Sequence, residues 1–199
     1  MEEKIVVLNS GGFDSIVLIQ YIRFLYPEAE IHSLYFSYGE LNSEQQQKCI
    51  EKVCAKVNAT NYHITLPKFS WTKGKFYDTE YEYEAKYLEY RNMVFIAYAV
   101  SYAESIGADK IYVATLMGAL CYKDNSMNFY IGINTAISES KINVIAPFSG
   151  YIKEDLKPFI RIFNIKEDDF FSCDVPKDHI PCGVCDKCLD IKKLFNNAS

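Results

Sequence analysis

Lys4-Ile5-Val6-Val7-Leu8-Asn9-Ser10-Gly11-Gly12-Phe13-Asp14-Ser15 is the stretch whose reading decides the fold. Ile5 to Leu8 are all aliphatic, with no polar alternation, which is the pattern of a strand buried on both faces of a sheet. Ser10-Gly11-Gly12 then interrupts the run as a tight turn. From Asp14 onward, apolar residues fall at Ile16, Val17, Ile19, Ile22 and Phe24 or Leu25, the spacing of a helix stripe. That helix should stop near Pro27, because proline disfavours helical geometry in the residue before it. A buried strand, a glycine turn and a helix N-terminus therefore follow one another directly.

This order has chemical consequences. Glycines let backbone N–H groups turn toward a ligand without obstruction by Cβ. A helix N-terminus adds unpaired donors and positive partial charge, so anions bind there readily. Ser10 and Ser15 can add hydroxyl donors to phosphate oxygens. Asp14 would repel a phosphate unless a divalent cation lay between them, as magnesium does in many nucleotide sites. A bare Gly-Gly would be only a turn, with Asp14 merely favoured by the helix dipole. The whole hexapeptide behind a buried strand points instead to phosphate binding. It is not a Walker loop, since no Gly-Lys-Ser/Thr follows, and it lacks the three spaced glycines of the dinucleotide fingerprint.

Working outward, Ile31 to Phe36 is a second strand. A helix should begin after Asn42 or Ser43, capped by that side chain, with Glu44 favourable in its first turn. It would turn Ile50, Val53, Cys54 and Val57 inward, before a third strand at Asn61 to Leu66. Between Pro67 and Tyr90 the period is lost. Trp71, Phe76, Tyr77, Tyr81, Tyr83 and Tyr87 alternate irregularly with Lys and Glu, as in a long surface segment with local packing or a lid over a site. A helix follows from Asn92 to Ser105, closed by Gly107. Further strands are expected at Lys110 to Thr115 and at Ile142 to Ala146, before Pro147. Alternating strands and helices predict an α/β fold: a doubly wound, mainly parallel five-stranded sheet with helices on both faces. Ligands of such sheets lie at the carboxyl ends of strands, where Ser10-Gly11-Gly12 falls.

The composition sets limits. The 199 residues include 21 Lys+Arg and 26 Asp+Glu, a net charge of −5, and 49 % are hydrophobic. This is globular composition, enough for one domain spanning 1–199. The longest apolar runs, Ile5 to Leu8 and Val94 to Val100, fall far short of the ~20 residues of a membrane span. Met1-Glu2-Glu3 carries no basic region, so no signal peptide is expected. Mild acidity argues against a broad nucleic-acid face, which needs clustered Lys and Arg. A cytoplasmic chain is expected, and the oligomeric state stays open, a homodimer included.

The seven cysteines are Cys49, Cys54, Cys121, Cys173, Cys182, Cys185 and Cys188. The last four form C-x8-C-x2-C-x2-C, and four thiolates satisfy a tetrahedral zinc ion. Gly183 eases the turn between the ligands, and Lys187 should offset part of their negative charge. With no open coordination position, such a zinc would be structural. Disulfides are disfavoured by the odd count and close spacing, while an iron–sulfur cluster is the other arrangement four thiolates allow. Cys49, Cys54 and Cys121 read as packed or surface thiols.

Ser-Gly-Gly-x-Asp-Ser resembles the pyrophosphate loop of the ATP pyrophosphatases, which split ATP into AMP and pyrophosphate. Joined to Ser172-Cys173 and Pro181-Cys182-Gly183-Val184-Cys185-Asp186-Lys187-Cys188, it resembles the QueC-type 7-cyano-7-deazaguanine synthases over nearly the whole chain. Tyr38-Gly39, Arg91-Asn92 and Ala146-Pro147 fit that family's layout. The resemblance implies an adenine nucleotide alpha hydrolase-like fold with a C-terminal zinc module at 173–188. It implies a ligase acting on 7-carboxy-7-deazaguanine, ATP and ammonia, without a membrane. The ATP segment would be Leu8-Asn9-Ser10-Gly11-Gly12-Phe13-Asp14-Ser15-Ile16-Val17-Leu18, with Ser10, Asp14 and Ser15 catalytic and Asp14 near magnesium. Arg91, Asn92, Tyr122 and Asp124 would contact the substrate, and Cys173, Cys182, Cys185 and Cys188 would hold zinc.

The chain departs from the family where substrate recognition is expected. The family usually has Gly-x-Asn-x-x-Asp after the fourth strand, then Tyr-Pro-Asp-Cys-Arg. Here Ala114-Thr115-Leu116-Met117-Gly118 and Tyr122-Lys123-Asp124-Asn125-Ser126 stand in those places, keeping Tyr122 and Asp124. Glu40-Leu41-Asn42 follows Tyr38-Gly39 where Gln-Arg-His is commoner. A relative stopping at the amide, a tRNA-thiolating enzyme using Cys121, another amidating enzyme, and a non-catalytic nucleotide-binding module are the alternatives.

Overall fold

The structure, a computed structural model, describes residues 3–67, 90–117 and 123–196. In chain order its elements are β1 (Lys4–Leu8), α1 (Phe13–Leu25), β2 (Glu30–Ser37), α2 (Ser43–Val57), β3 (Ala59–Thr65), α3 (Arg91–Ile106), β4 (Lys110–Tyr112), α4 (Met127–Ala136), β5 (Asn143–Ile145), α5 (Lys157–Ile162) and α6 (Asp186–Asn196). The aromatic-rich stretch at 68–89 lies outside the described residues, as do Cys121 and Tyr122.

The five strands run in the order β3-β2-β1-β4-β5, and every pairing is parallel. The chain winds from β1 out to β3, then returns to the other side of β1 for β4 and β5. The direction of winding therefore reverses between β1 and β4. Neighbouring loops diverge at such a point and leave a crevice at the carboxyl ends of the strands.

Successive strand residues face opposite sides of a sheet, and β1 shows why it must be apolar throughout. Ile5 and Val7 pack with Ile16, Val17, Leu18, Ile19 and Ile22 of α1 and Ile50 and Val53 of α2. Val6 packs on the opposite side with Ile96, Ala99 and Ala103 of α3 and Tyr130 of α4. Both layers exclude water from β1, whose Ile5, Val6 and Val7 are fully buried. Each such side chain contributes about 1.5–3 kcal/mol of transfer free energy.

Two details differ from the pattern read in the sequence. The Asn42 side chain does not cap α2; its Nδ2 donates instead to the Cys173 carbonyl at 2.8 Å. The β4 ladder ends at Tyr112, although Val113 N still donates to Ile145 O at 3.0 Å, and Ala114 and Thr115 diverge from the sheet. Helices α4, α5 and α6 complete the fold. Ser126 caps α4 by accepting from Phe129 N at 3.2 Å, and Asn134 exchanges two hydrogen bonds with the Val144 backbone, docking α4 on the edge strand β5. Gly107, at φ 72°, closes α3 as expected. Among the described residues, no helix is long and apolar enough to cross a membrane.

Candidate active site

A cavity of about 290 Å³ opens at the reversal point, lined from the turn after β1, the segment after β4, the start of α3 and the C-terminal tail. Its first wall is the glycine turn. Gly11 has φ +71°, and a Cβ there would lie 2.6 Å from the Gln46 carbonyl oxygen and 2.9 Å from Gln46 Cα. Only glycine fits both that conformation and the approach of α2. Gly12 has an ordinary backbone and faces the cavity, so its lack of a side chain keeps the opening clear. Asn9 fixes the turn from below: its Oδ1 accepts from Gly11 N at 3.1 Å and its Nδ2 donates to Ser33 Oγ at 3.2 Å.

Gly12 has no side chain to cap α1, and the Phe13 amide donates instead to Ser172 Oγ at 3.1 Å. The amides of Asp14 and Ser15 are among the donors that a helix leaves without an internal acceptor. Ser10 Oγ and Ser15 Oγ lie 3.0 Å apart and bridge the turn. Phe13 lines the site with little more than its backbone, because its ring is buried edge-on against Phe170 at 5.2 Å and beside Phe195 at 6.3 Å. Ile16, Val17 and Leu18 are wholly buried in the core, so of the expected ATP segment Leu8 to Ser15, apart from Gly11, face the cavity.

Asp14 is held in a tense electrostatic setting. Its Oδ1 is buried without a hydrogen-bond partner, 3.6 Å from Lys153 Nζ. Burial raises its pKa, against the opposing pull of Lys153 and Lys187. Both lysines line the cavity. Lys153 came from a part of the chain with no sequence signal for a site. It enters because the 3₁₀ turn at Lys153–Leu156 packs against α1, with Leu156 fully buried in the same core.

The opposite wall is charged and aromatic. Arg91 Nη1 donates to the Tyr38 hydroxyl at 2.8 Å, and its guanidinium lies 5.7 Å from the Phe95 ring centroid. Burial works against its charge, but Tyr38, Asp124 and Glu40 together raise its pKa, and it stays cationic. Glu40 Oε2 accepts from Tyr38 N at 2.7 Å; burial nonetheless raises this carboxyl. Asp124 faces away from the opening. It is 2 % exposed, and its Oδ2 accepts from Asn92 N at 2.7 Å, while Asn92 Nδ2 donates back to its carbonyl at 3.1 Å. It thus caps α3, whose own flanking residue, Tyr90, supplies no side-chain cap. Arg91 and Asn92 line the cavity, joined by Asn125, Thr115 and Tyr130, which hydrogen-bond to one another. Burial pushes the Tyr130 hydroxyl up to about 12, so it serves as a neutral group.

The four C-terminal cysteines converge as their spacing suggests. Their sulfurs all lie within 4.8 Å of one another, and Cys173 Sγ and Cys185 Sγ are 4.0 Å apart. Four sulfurs at ~2.3 Å from one tetrahedral ion would stand roughly 3.8 Å apart, so the cage fits a single metal such as zinc. An iron–sulfur cube would hold its ligands farther apart. Backbone amides reinforce the thiolates: Cys182 N donates to Cys173 Sγ and Cys185 N to Cys182 Sγ, each at 3.3 Å. Burial acts to raise Cys182, yet the Val184 and Cys185 amides, with hydrogen bonds from the Cys173 and Cys185 thiols, outweigh it and bring it down to about 7. Gly183 takes φ +75° between the ligands. Lys187, expected beside the thiolates, pairs instead with Asp174 at 2.9 Å, and Lys192 donates to the Gly183 carbonyl at 2.9 Å.

Fold and site define a doubly wound α/β protein of the PP-loop class with an appended four-cysteine module. Its fold is like that of the U34-tRNA thiolase NcsA from Methanococcus maripaludis, solved with a 4Fe-4S cluster, at a TM-score of 0.62 and 11 % identity, covering 98 % of this chain and 66 % of that one. Residues 4–199 match the family described as queuosine biosynthesis protein QueC. The 7-cyano-7-deazaguanine synthase of Methanosphaera stadtmanae is 30 % identical over 221 residues, covering 100 % of this chain and 96 % of its own. That of Methanobrevibacter smithii is 28 % identical, covering 100 % and 95 %. The chain belongs to the QueC family.

Proposed function

We propose that this chain is an ATP-dependent carbon–nitrogen ligase that converts 7-carboxy-7-deazaguanine and ammonia to 7-cyano-7-deazaguanine, releasing AMP and pyrophosphate. What carries this reading is one cavity holding two unlike walls: an anion cradle at Gly12 to Ser15, and a guanidinium framed by aromatic rings at Arg91. A triphosphate and a planar carboxylate-bearing base can meet there.

A carboxylate is a poor electrophile at neutral pH, so activation must come first. Its oxygen attacks the α-phosphorus, the bond to the bridging oxygen breaks, and pyrophosphate departs. Ammonia adds to the acyl carbon, loses a proton and expels AMP, giving the amide. The amide oxygen then attacks a second α-phosphorus; loss of pyrophosphate, AMP and two protons leaves the nitrile. Little of this needs covalent help from the protein, which must orient reactants and stabilise leaving charge.

In this scheme the amides of Asp14 and Ser15 and the hydroxyls of Ser10 and Ser15 grip the outer phosphates, and Lys153 adds charge. The orphaned Oδ1 of Asp14 suits a magnesium ion, which binds through one or two carboxylates plus substrate phosphates and would neutralise their charge. Arg91 balances the substrate carboxylate, with Asn92 beside it. Asp124 acts through α3 as a positioning residue. Cys173, Cys182, Cys185 and Cys188 would hold zinc, whose four protein ligands leave it a structural part in a single 1–199 unit. Reduced thiols suit a cytoplasmic setting.

The test is mass analysis after incubating the protein with 7-carboxy-7-deazaguanine, ammonium and MgATP. AMP with the nitrile is the expected outcome. ADP, or no turnover, would overturn the assignment, and accumulation of the amide would shift it to an enzyme that stops there.

A further inference from the structure

We propose that the four-cysteine module is a wall of the nucleotide site itself: Lys187, carried between two of its cysteines, contacts the outer phosphates of ATP, so that metal loading and nucleotide binding strengthen each other. This rests on the ATP-dependent function proposed above.

The module is stitched to the glycine turn on both sides. Ser172, which immediately precedes the ligand Cys173, accepts from the Phe13 amide at 3.1 Å through its Oγ. Its neighbour Phe171 donates its own amide to the Gly11 carbonyl at 2.8 Å. Asn42 Nδ2 holds the Cys173 carbonyl at 2.8 Å. The backbone leading into the metal cage is therefore fixed to the same residues that form the anion cradle.

The cage also delivers charge. Asp174 and Lys187 line the cavity and pair at 2.9 Å. Lys187 stands between Cys185 and Cys188, and its side chain is half exposed, so the ammonium can swing without disturbing the core. Together with Lys153 it acts electrostatically on Asp14, within the first turn of α1. A triphosphate offers several anionic oxygens where Asp174 offers one carboxylate. Lys187 therefore changes partner when nucleotide enters, and charge-assisted bonds to phosphate are the stronger kind.

A metal held by the four cysteines would tie these pieces together. Cys173 fixes the segment bearing Ser172 and Asp174, while Cys185 and Cys188 fix the start of α6 bearing Lys187. If the metal improves the nucleotide site, nucleotide must raise metal affinity by the same factor.

Zinc-loaded wild type, Lys187→Met and Lys187→Arg are compared for binding of α,β-methylene-ATP and of AMP by calorimetry, and for zinc affinity by chelator competition. Lys187→Met should keep its zinc and its Tm, bind the triphosphate analogue about tenfold more weakly and bind AMP unchanged. Lys187→Arg should restore the analogue. Saturating analogue should raise the zinc affinity of wild type and do so less in Lys187→Met. Equal analogue affinity in wild type and Lys187→Met, equal losses for AMP and analogue, or zinc affinity indifferent to analogue would overturn this inference and leave the ATP-dependent function standing. Wild type that binds no analogue would overturn that function and this inference with it.

Discussion

Lys153 Nζ lies 3.6 Å from Asp14 Oδ1, joining the first turn of α1 to a turn that returns late in the chain. The pair faces the cavity and is not needed for packing. Asp14→Asn should therefore fold normally and lower pyrophosphate release by at least ~100-fold, the scale of losing one preorganised electrostatic contact. An unchanged rate would remove the role given to Asp14.

The same carboxyl makes a pH prediction. Burial raises its pKa in the folded protein. A raised carboxyl binds its proton more tightly when folded, so its stabilising contribution is complete below the unfolded value near ~3.9 and is lost as pH rises through the folded value. Relative to Asp14→Asn, wild type should lose stability as pH rises above about 4. Denaturant unfolding without nucleotide, at several pH values, measures the gap, and a gap that narrows with rising pH would contradict the assignment.

The two glycines should respond differently. Gly11→Ala forces a Cβ against the Gln46 backbone at positive φ and should cost at least ~2 kcal/mol. Gly12→Ala meets only Ser10 Oγ at 3.4 Å and Ser172 Oγ at 3.6 Å, so it should fold and bind nucleotide poorly. Thermal melts and nucleotide titration of both variants separate the effects. Equal destabilisation would show that the turn is not built as described.

Asp124 and Arg91 offer a contrast between support and contact. Asp124→Ala strips the cap from α3 and should cost about 1–2 kcal/mol, as lost helix caps do. Arg91→Met should leave stability nearly unchanged but raise the KM for 7-carboxy-7-deazaguanine about tenfold or more, with little effect on that for ATP. A shift confined to ATP would place Arg91 on the wrong ligand.

Cys185→Ser should release the metal and lower the Tm sharply, since structural zinc sites contribute folding energy directly. Metal analysis of the purified variant decides the point, and a full complement of zinc would refute the site.

Much of this was legible in the sequence because it is local. The strand at Ile5 to Val7, the turn at Gly11 and Gly12, the cysteine spacing and the long helix closed by Gly107 each depend on residues near in the chain. What stayed hidden depends on the chain's return. Lys153, Ser172, Asp174 and Lys187 reach the cavity from the C-terminal third, where the cysteine spacing announces a metal but nothing announces a wall of the nucleotide site. Asn42 had the identity of a cap, but its side-chain amide is turned to donate to the Cys173 carbonyl instead. Asp124 kept the family's residue while serving α3 rather than facing the opening. Helix α4 could have been found from Ser126 and the apolar residues Phe129, Tyr130 and Ile133 behind it.

The account rests on the outer phosphates of ATP lying against the backbone amides of Asp14 and Ser15. A crystal structure with α,β-methylene-ATP and magnesium measures this directly. It should show the β- and γ-phosphates within hydrogen-bond distance of those amides, with Lys153 alongside and the α-phosphorus facing Arg91. Phosphates bound elsewhere, with Ser10 and Ser15 still bridging the turn, would contradict it.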